Sequence, residues 1–253
     1  MPDIRYVAIG DSFTEGVGDE LPDGRVRGWA DLTAQGWADS LGHEISYANL
    51  AIRGKLIWPI VAEQLEPALA LRPTHLSFNG GGNDMLRPRT AISHLADAFD
   101  QVLGRCDEEG VTLIVLSGAN PAPHLPMGRL IQRRGDELSA AVVSRIEHRP
   151  DVVQALNWPD RELSSRGHWS DDRLHMNARG HHRVAARVLD SLGETPDPSW
   201  WSLPTETAAR TSSGLAYYRT HVGPWVQRRL TGRSSGDGRV PKSGDWVTVT
   251  PTA

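Results

Sequence analysis

The chain alternates short β-branched runs with longer stretches that carry apolar residues at helical spacing, and this alternation constrains its fold more than any other feature. The short runs are Tyr6–Gly10, Ile45–Leu50, His75–Asn79, Val111–Leu116 and Val152–Leu156. The helical patterns cover Trp29–Leu41, Leu56–Leu71, Ala91–Glu109, Met127–Glu147 and Asn177–Leu192. Strands and helices in this rhythm predict a parallel sheet covered on both faces. Open parallel sheets place their ligand sites outside the carboxyl ends of the strands. Chemistry is therefore expected in the residues just after each run.

The rhythm stops after Leu192. Thr195-Pro196-Asp197-Pro198 breaks the last helix of the repeat. A helix-like stretch around Ala216–Arg229, the Gly/Ser/Arg-rich Gly232–Arg239 and a β-like Trp246-Val247-Thr248-Val249 follow. The expected organisation is one domain over residues 1–194 and a C-terminal extension over residues 195–253, packed on the domain with a partly flexible end.

Composition excludes several classes. A net charge of −4 gives no reason to bind polyanions, so no nucleic-acid partner is expected. The basic residues from Arg228 to Arg239 are interrupted by Asp237 and read as a solvated tail. Cys106 is the only cysteine, which rules out an intramolecular disulfide and a Cys-ligated structural zinc. No apolar run reaches the roughly 18 residues of a membrane span, and Met1-Pro2-Asp3 opens no secretory leader. These features predict a cytoplasmic protein with no stable membrane association. Monomer and dimer are both compatible with them.

Four segments carry candidate chemistry. Gly10-Asp11-Ser12-Phe13-Thr14-Glu15-Gly16 follows the first strand. A serine hydroxyl there is a nucleophile if a base accepts its proton, but Ser12 to Glu15 also fits a helix capping box. Asn49-Leu50-Ala51-Ile52-Arg53-Gly54 follows the second strand, where Gly54 can present its amide. Gly80-Gly81-Gly82-Asn83-Asp84 follows the third, and an Asn side chain in such a loop can donate to an oxyanion. Asp171-Asp172-Arg173-Leu174-His175-Met176-Asn177 lies between the fifth strand and the last helix. Asp172, three residues before His175, suits a carboxylate that orients an imidazole; Asp171 is the alternative, and a plain surface loop capped by Asn177 is the rival reading. No His-Glu-x-x-His spacing occurs, so no metal is expected. Of the tryptophans, Trp169 is the one expected beside the site.

All four segments fall at one predicted sheet rim, and in this order the sequence resembles the GDSL or SGNH hydrolases over residues 4–192. The resemblance implies a flavodoxin-like α/β/α sandwich with a five-stranded parallel sheet and no cofactor. It implies Ser12 as nucleophile, Asp172 and His175 as its partners, and an oxyanion hole from Ser12, Gly54 and Asn83. Asp11, Gly82 and Trp169 are expected to line the substrate. Met176 departs from the family, which often has Pro after the His. The implied activity is hydrolysis of small-molecule carboxylic esters, with short acyl or O-acetyl groups favoured. Acyl transfer to a sugar or alcohol, and a non-catalytic carbohydrate-binding module on the same scaffold, are the alternatives. Specificity is expected in the loops Asp19–Gly28 and Pro121–Met127.

Overall fold

A computed structural model describes residues 3–87, 89–202 and 234–252. The predicted helix at Ala216–Arg229 lies outside the described residues. Five parallel strands form where the β-branched runs predict them: β1 (Arg5–Ile9), β2 (Ile45–Asn49), β3 (His75–Phe78), β4 (Thr112–Ser117) and β5 (Val153–Leu156). A sixth, β6 (Ser243–Val249), pairs antiparallel with β2, giving the order β5-β4-β3-β1-β2-β6. The five-stranded expectation holds for the parallel core; the β-like run near the C-terminus adds the sixth strand at one edge.

Side chains alternate across β1 because strand periodicity is two. Val7 and Ile9 face a core with Leu76, Phe78, Leu113 and Val115, while Tyr6 and Ala8 face the opposite core with Ile114, Leu116 and Ala155. The first core is closed by α6 (Ile92–Glu109) and α7 (Gly128–Ile146), and the second by α2 (Trp29–Leu41) and α8 (Ala178–Ser191). In α6, Leu95, Phe99, Val102, Leu103 and Cys106 make one apolar stripe at three- and four-residue spacing. Cys106 is buried in that stripe, and burial pushes its thiol up to about 12. Among the described residues no helix is long and apolar enough to cross a membrane.

The segment expected as one helix over Leu56–Leu71 is three pieces. These are α3 (Ile57–Ile60), a π turn (Val61–Leu65) and α4 (Glu66–Ala70). Pro67 sits in the first turn of α4, and a proline inside a regular helix has no N–H to give and crowds the carbonyl four residues back. The wider turn just before it accommodates both effects. It also turns Gln64 into the core, 3% exposed, where its side-chain oxygen accepts from Gly10 N at 2.8 Å and its amide donates to Gly10 O at 3.0 Å. One side chain thereby meets both backbone groups of the residue that follows β1.

Gln64→Leu leaves the Gly10 N–H buried without a partner, at about 1–3 kcal/mol, while Gly10 O still accepts from Ile52 N at 3.2 Å. We expect urea unfolding to show a loss of roughly 1–3 kcal/mol. A loss below about 0.5 kcal/mol, the level of an ordinary surface change, would mean Gly10 does not depend on this amide.

Candidate active site

Beyond Ile9 the chain turns into α1 (Ser12–Glu15). Its N-cap is Asp11, whose Oδ1 accepts from Phe13 N at 3.0 Å. The capping box that Ser12 to Glu15 also fits, the rival reading of this segment, does not form. Ser12 is the first helical residue, and its hydroxyl takes no part in the cap. The Glu15 carboxylate instead accepts from Arg53 N at 2.6 Å, Arg53 Nε at 2.8 Å and Arg53 Nη2 at 2.5 Å.

The β3 loop leads into α5 (Gly82–Met85), which carries Asn83. Asn83 Nδ2 donates to Asp11 Oδ2 at 3.1 Å and to the Lys55 carbonyl at 3.0 Å. Asp84 is turned inward, where its Oδ2 accepts from Ile57 N at 2.9 Å at the start of α3. Asp11 is 5% exposed, and burial raises its carboxyl to about 6 against the pull of the Phe13 N–H and of His175.

His175 sits on a loop closed by its own hydrogen bonds. Ser170 N donates to the His175 carbonyl at 2.9 Å, and Ser170 Oγ donates to the same oxygen at 2.7 Å. Asp172 Oδ1 accepts from Leu174 N and His175 N, each at 3.0 Å, and its Oδ2 lies 2.6 Å from His175 Nδ1. Burial works to raise the Asp172 carboxyl, yet the His175 side chain and these two N–H groups hold it well below the usual carboxylate range. The neighbouring Asp171 pairs with Arg166 instead, at 3.7 Å. Asn177 caps α8, accepting from Gly180 N at 3.1 Å, as the sequence predicts. Met176, which follows His175, is 2% exposed and bridges to Trp169.

One cavity of about 120 Å³ brings most of these residues together. Asp11, Ser12, Gly82, Asn83, Trp169 and His175 are in its wall. Leu116, Leu138, Val142, Leu156 and Trp158 make an apolar part of the same wall. The Trp169 indole N–H is committed to Leu163 O at 3.0 Å, so Trp169 offers the cavity a ring surface rather than a donor. Among the specificity loops expected, Pro121 reaches the cavity, whereas no residue of Asp19–Gly28 lines it.

Gly54 is not in the wall. It follows Arg53, which the Glu15 carboxylate ties to the Ser12 helix. Its φ of 76° lies in the left-handed region that only glycine enters freely. Among the described residues no three His, Cys, Asp or Glu side chains gather as a metal site.

Sequence reasoning missed Gln64, and it missed the Glu15–Arg53 pair. Gln64 had a readable signal, being an uncharged polar residue on the apolar stripe of Ile57, Ile60, Val61 and Ala68. Nothing in residue spacing joins Glu15 to Arg53 across two strands.

The chain's relatives can now be set beside this geometry. The model of a family described as the GDSL-like lipase/acylhydrolase family matches residues 8–183. Among solved structures, the chain is similar to a catalytic mutant of the acetylxylan esterase Axe2 from Geobacillus stearothermophilus, with a TM-score of 0.62 and 17% identity over 78% of this chain and 97% of that one. It is similar to TesA, with a TM-score of 0.60 and 21% identity over 74% and 97%. It is similar also to the psychrotrophic esterase EstA from Pseudoalteromonas sp., in a structure inhibited by monoethylphosphonate, with a TM-score of 0.59 and 16% identity over 76% and 97%. At these identities the structures share the fold. No curated protein sequence matches.

The raised Asp11 carboxyl sets a pH dependence of stability. Its folded-state value of about 6 lies above the unfolded value of 3.8, so the buried group favours folding below pH 3.8 and loses that advantage as pH rises through 6. At about 1.4 kcal/mol per pH unit, the difference in unfolding free energy between Asp11→Asn and the unmodified chain should move in favour of the variant by roughly 2.5 kcal/mol from pH 4 to pH 8. Urea titrations at both pH values read it. A constant difference would mean that Asp11 titrates normally.

Proposed function

Given that the chain belongs to the GDSL-like lipase/acylhydrolase family, whose members act on ester bonds, we propose that it hydrolyses small carboxylic esters, short acyl and O-acetyl esters first, through Ser12, His175, Asp172 and an acyl-enzyme. The observation that carries this reading is the 2.6 Å Asp172–His175 pair, whose His175 lines one cavity with Ser12, a serine left out of its own helix cap. The Asp172 carboxylate accepts a hydrogen bond from the Nδ1–H of His175, which fixes the tautomer and leaves the Nε2 lone pair to act as base. Ser12 Oγ attacks the ester carbonyl as its proton passes to Nε2, and the carbonyl electrons move to oxygen. Backbone N–H groups of Ser12 and Gly54 and the Asn83 amide are the donors to that oxyanion. For Asn83 this means redirecting an N–H now given to Asp11 or Lys55. Collapse expels the alcohol with the proton from His175. Water then adds to the acyl-enzyme by the same route and frees Ser12.

The acyl group belongs in the apolar part of the cavity, against Leu116, Leu138, Val142, Leu156 and Trp158. A volume of about 120 Å³ equals that of about four waters at roughly 30 Å³ each, which suits an acyl group of a few carbons.

Ser12→Ala should abolish hydrolysis of 4-nitrophenyl acetate and labelling by a fluorescent alkylphosphonate. Asn83→Ala should remain folded while losing about a hundred- to a thousandfold in kcat. Full activity in Ser12→Ala would sink the assignment. With 4-nitrophenyl esters of increasing acyl length, Val142→Phe should move the preference toward acetyl. A chain-length profile that ignores this substitution would put the acyl group elsewhere.

A further inference from the structure

The segment Ser234–Lys242 reaches back across the molecule to two stretches of the proposed site. It lies beyond residue 183, where the family match ends. Lys242 Nζ donates to Glu15 O and Asp31 Oδ2, each at 2.6 Å, and also lies 3.2 Å from Val26 O and 3.4 Å from Arg27 O. An ammonium has three protons, so these four acceptors form a nearly closed cage around it. Glu15 O is the last carbonyl of α1, and a cation at a helix C-terminus complements the dipole there. A helix of four residues has too few internal bonds to hold itself in place. Asp11 fixes its start, and Lys242 fixes its end.

The same segment grips the second stretch. Ser234 Oγ donates to Gly54 O at 3.2 Å, and Ser234 is itself held by its N–H to Asp237 Oδ2 at 2.9 Å. The fit leaves no slack. A Cβ on Gly54 would lie 2.4 Å from Ser234 Oγ, and one on Gly236 would lie 2.2 Å from Arg53 O. Glu15 joins the two grips, because its carbonyl meets Lys242 while its carboxylate holds Arg53, the neighbour of Gly54. Beyond Lys242 the chain enters β6 and pairs with β2, the strand that leads into the Gly54 loop.

We propose that Ser234–Lys242 is a clasp that sets the spacing of the two backbone amides of the oxyanion hole, those of Ser12 and Gly54, with Lys242 and Ser234 as positioning residues. The clasp rests on the ester-hydrolase reading above. An oxyanion donor works when it lies 2.7–3.1 Å from the developing charge, and displacing catalytic groups by about 1 Å can cost a hundredfold in rate. The oxyanion exists only along the reaction path. Loosening the clasp therefore lowers kcat and kcat/KM together and leaves KM alone.

The test uses the full chain, assayed on 4-nitrophenyl acetate at a temperature where circular dichroism shows every variant folded. Lys242→Met should lower kcat about ten- to a hundredfold with KM within twofold. Ser234→Ala should lower it several-fold, with recovery in Ser234→Thr. Val247→Ala, on β6 away from both grips, is the control and should keep the unmodified kcat. Amide hydrogen exchange should quicken at residues 12–16 and 51–55 in Lys242→Met but not in Val247→Ala. Should Lys242→Met not fold, Ser234→Ala and Ser234→Thr decide the question alone. The clasp is overturned if the folded variants keep kcat within twofold, if KM rises in step with the loss, or if Val247→Ala loses as much. If the unmodified chain is inactive, or Ser12→Ala is as active as it, the ester-hydrolase reading falls and the clasp with it. Ser12-dependent activity indifferent to Lys242 and Ser234 removes the clasp alone.

Discussion

The site depends on β1 running between β2 and β3. From β1 the chain first moves to one side to build β2, then returns across to build β3 on the other. Loops leaving a sheet at such a reversal diverge and open a crevice at the strand ends. Ser12 leaves from the middle strand, while Gly54 and Asn83 leave from its two neighbours. No side chain has to travel far, because parallel pairing brings the carboxyl ends of all three strands to one rim. His175 and Asp172 arrive separately, on a loop closed by its own hydrogen bonds.

Polar groups are sunk into that rim at a cost to stability. Asp11, Glu15, Asn49, Asn79 and Asp84 are all less than a tenth exposed. Each is met by specific partners: Asn49 Nδ2 donates to Thr14 O at 3.0 Å, and Asn79 Nδ2 donates to Leu116 O at 2.9 Å. A buried polar group that is satisfied fixes one geometry, whereas an apolar one tolerates several. Asp11 shows the cost most plainly, since burial works against its charge. The gain is an α1 whose start and whose neighbour Asn83 answer to the same carboxylate.

Much of this was legible in the sequence. Each of the five parallel strands and the helices α2, α6, α7 and α8 forms within about a residue of its expected bounds, because both periodicities are local properties of a chain whose sheet is buried on two faces. The pairing of Asp172 with His175 was legible for the same reason, as a contact across three residues. The helix cap was not legible because Asp11 and Ser12 are both good caps and only the turn after β1 decides between them. The hold of Lys242 on Glu15 spans 227 positions and that of Ser234 on Gly54 spans 180, and no pattern in a single sequence names partners at such range. The edge position of β6 was hidden likewise, since a β-like run does not say which strand it will join.

That long-range pairing has a consequence for the order in which the molecule comes into being. Ile45 of β2 lies opposite Val249 of β6, so a ribosome must make about two hundred more residues before that edge of the sheet can close. The five parallel strands and every motif of the site emerge earlier and can already collapse on one another as synthesis proceeds. Until β6 arrives, β2 is an open edge with unpaired N–H and C=O groups, the kind of edge on which nascent chains associate wrongly. Protection of that edge is therefore a late event, and the interval before it is when the growing chain is most exposed to aggregation.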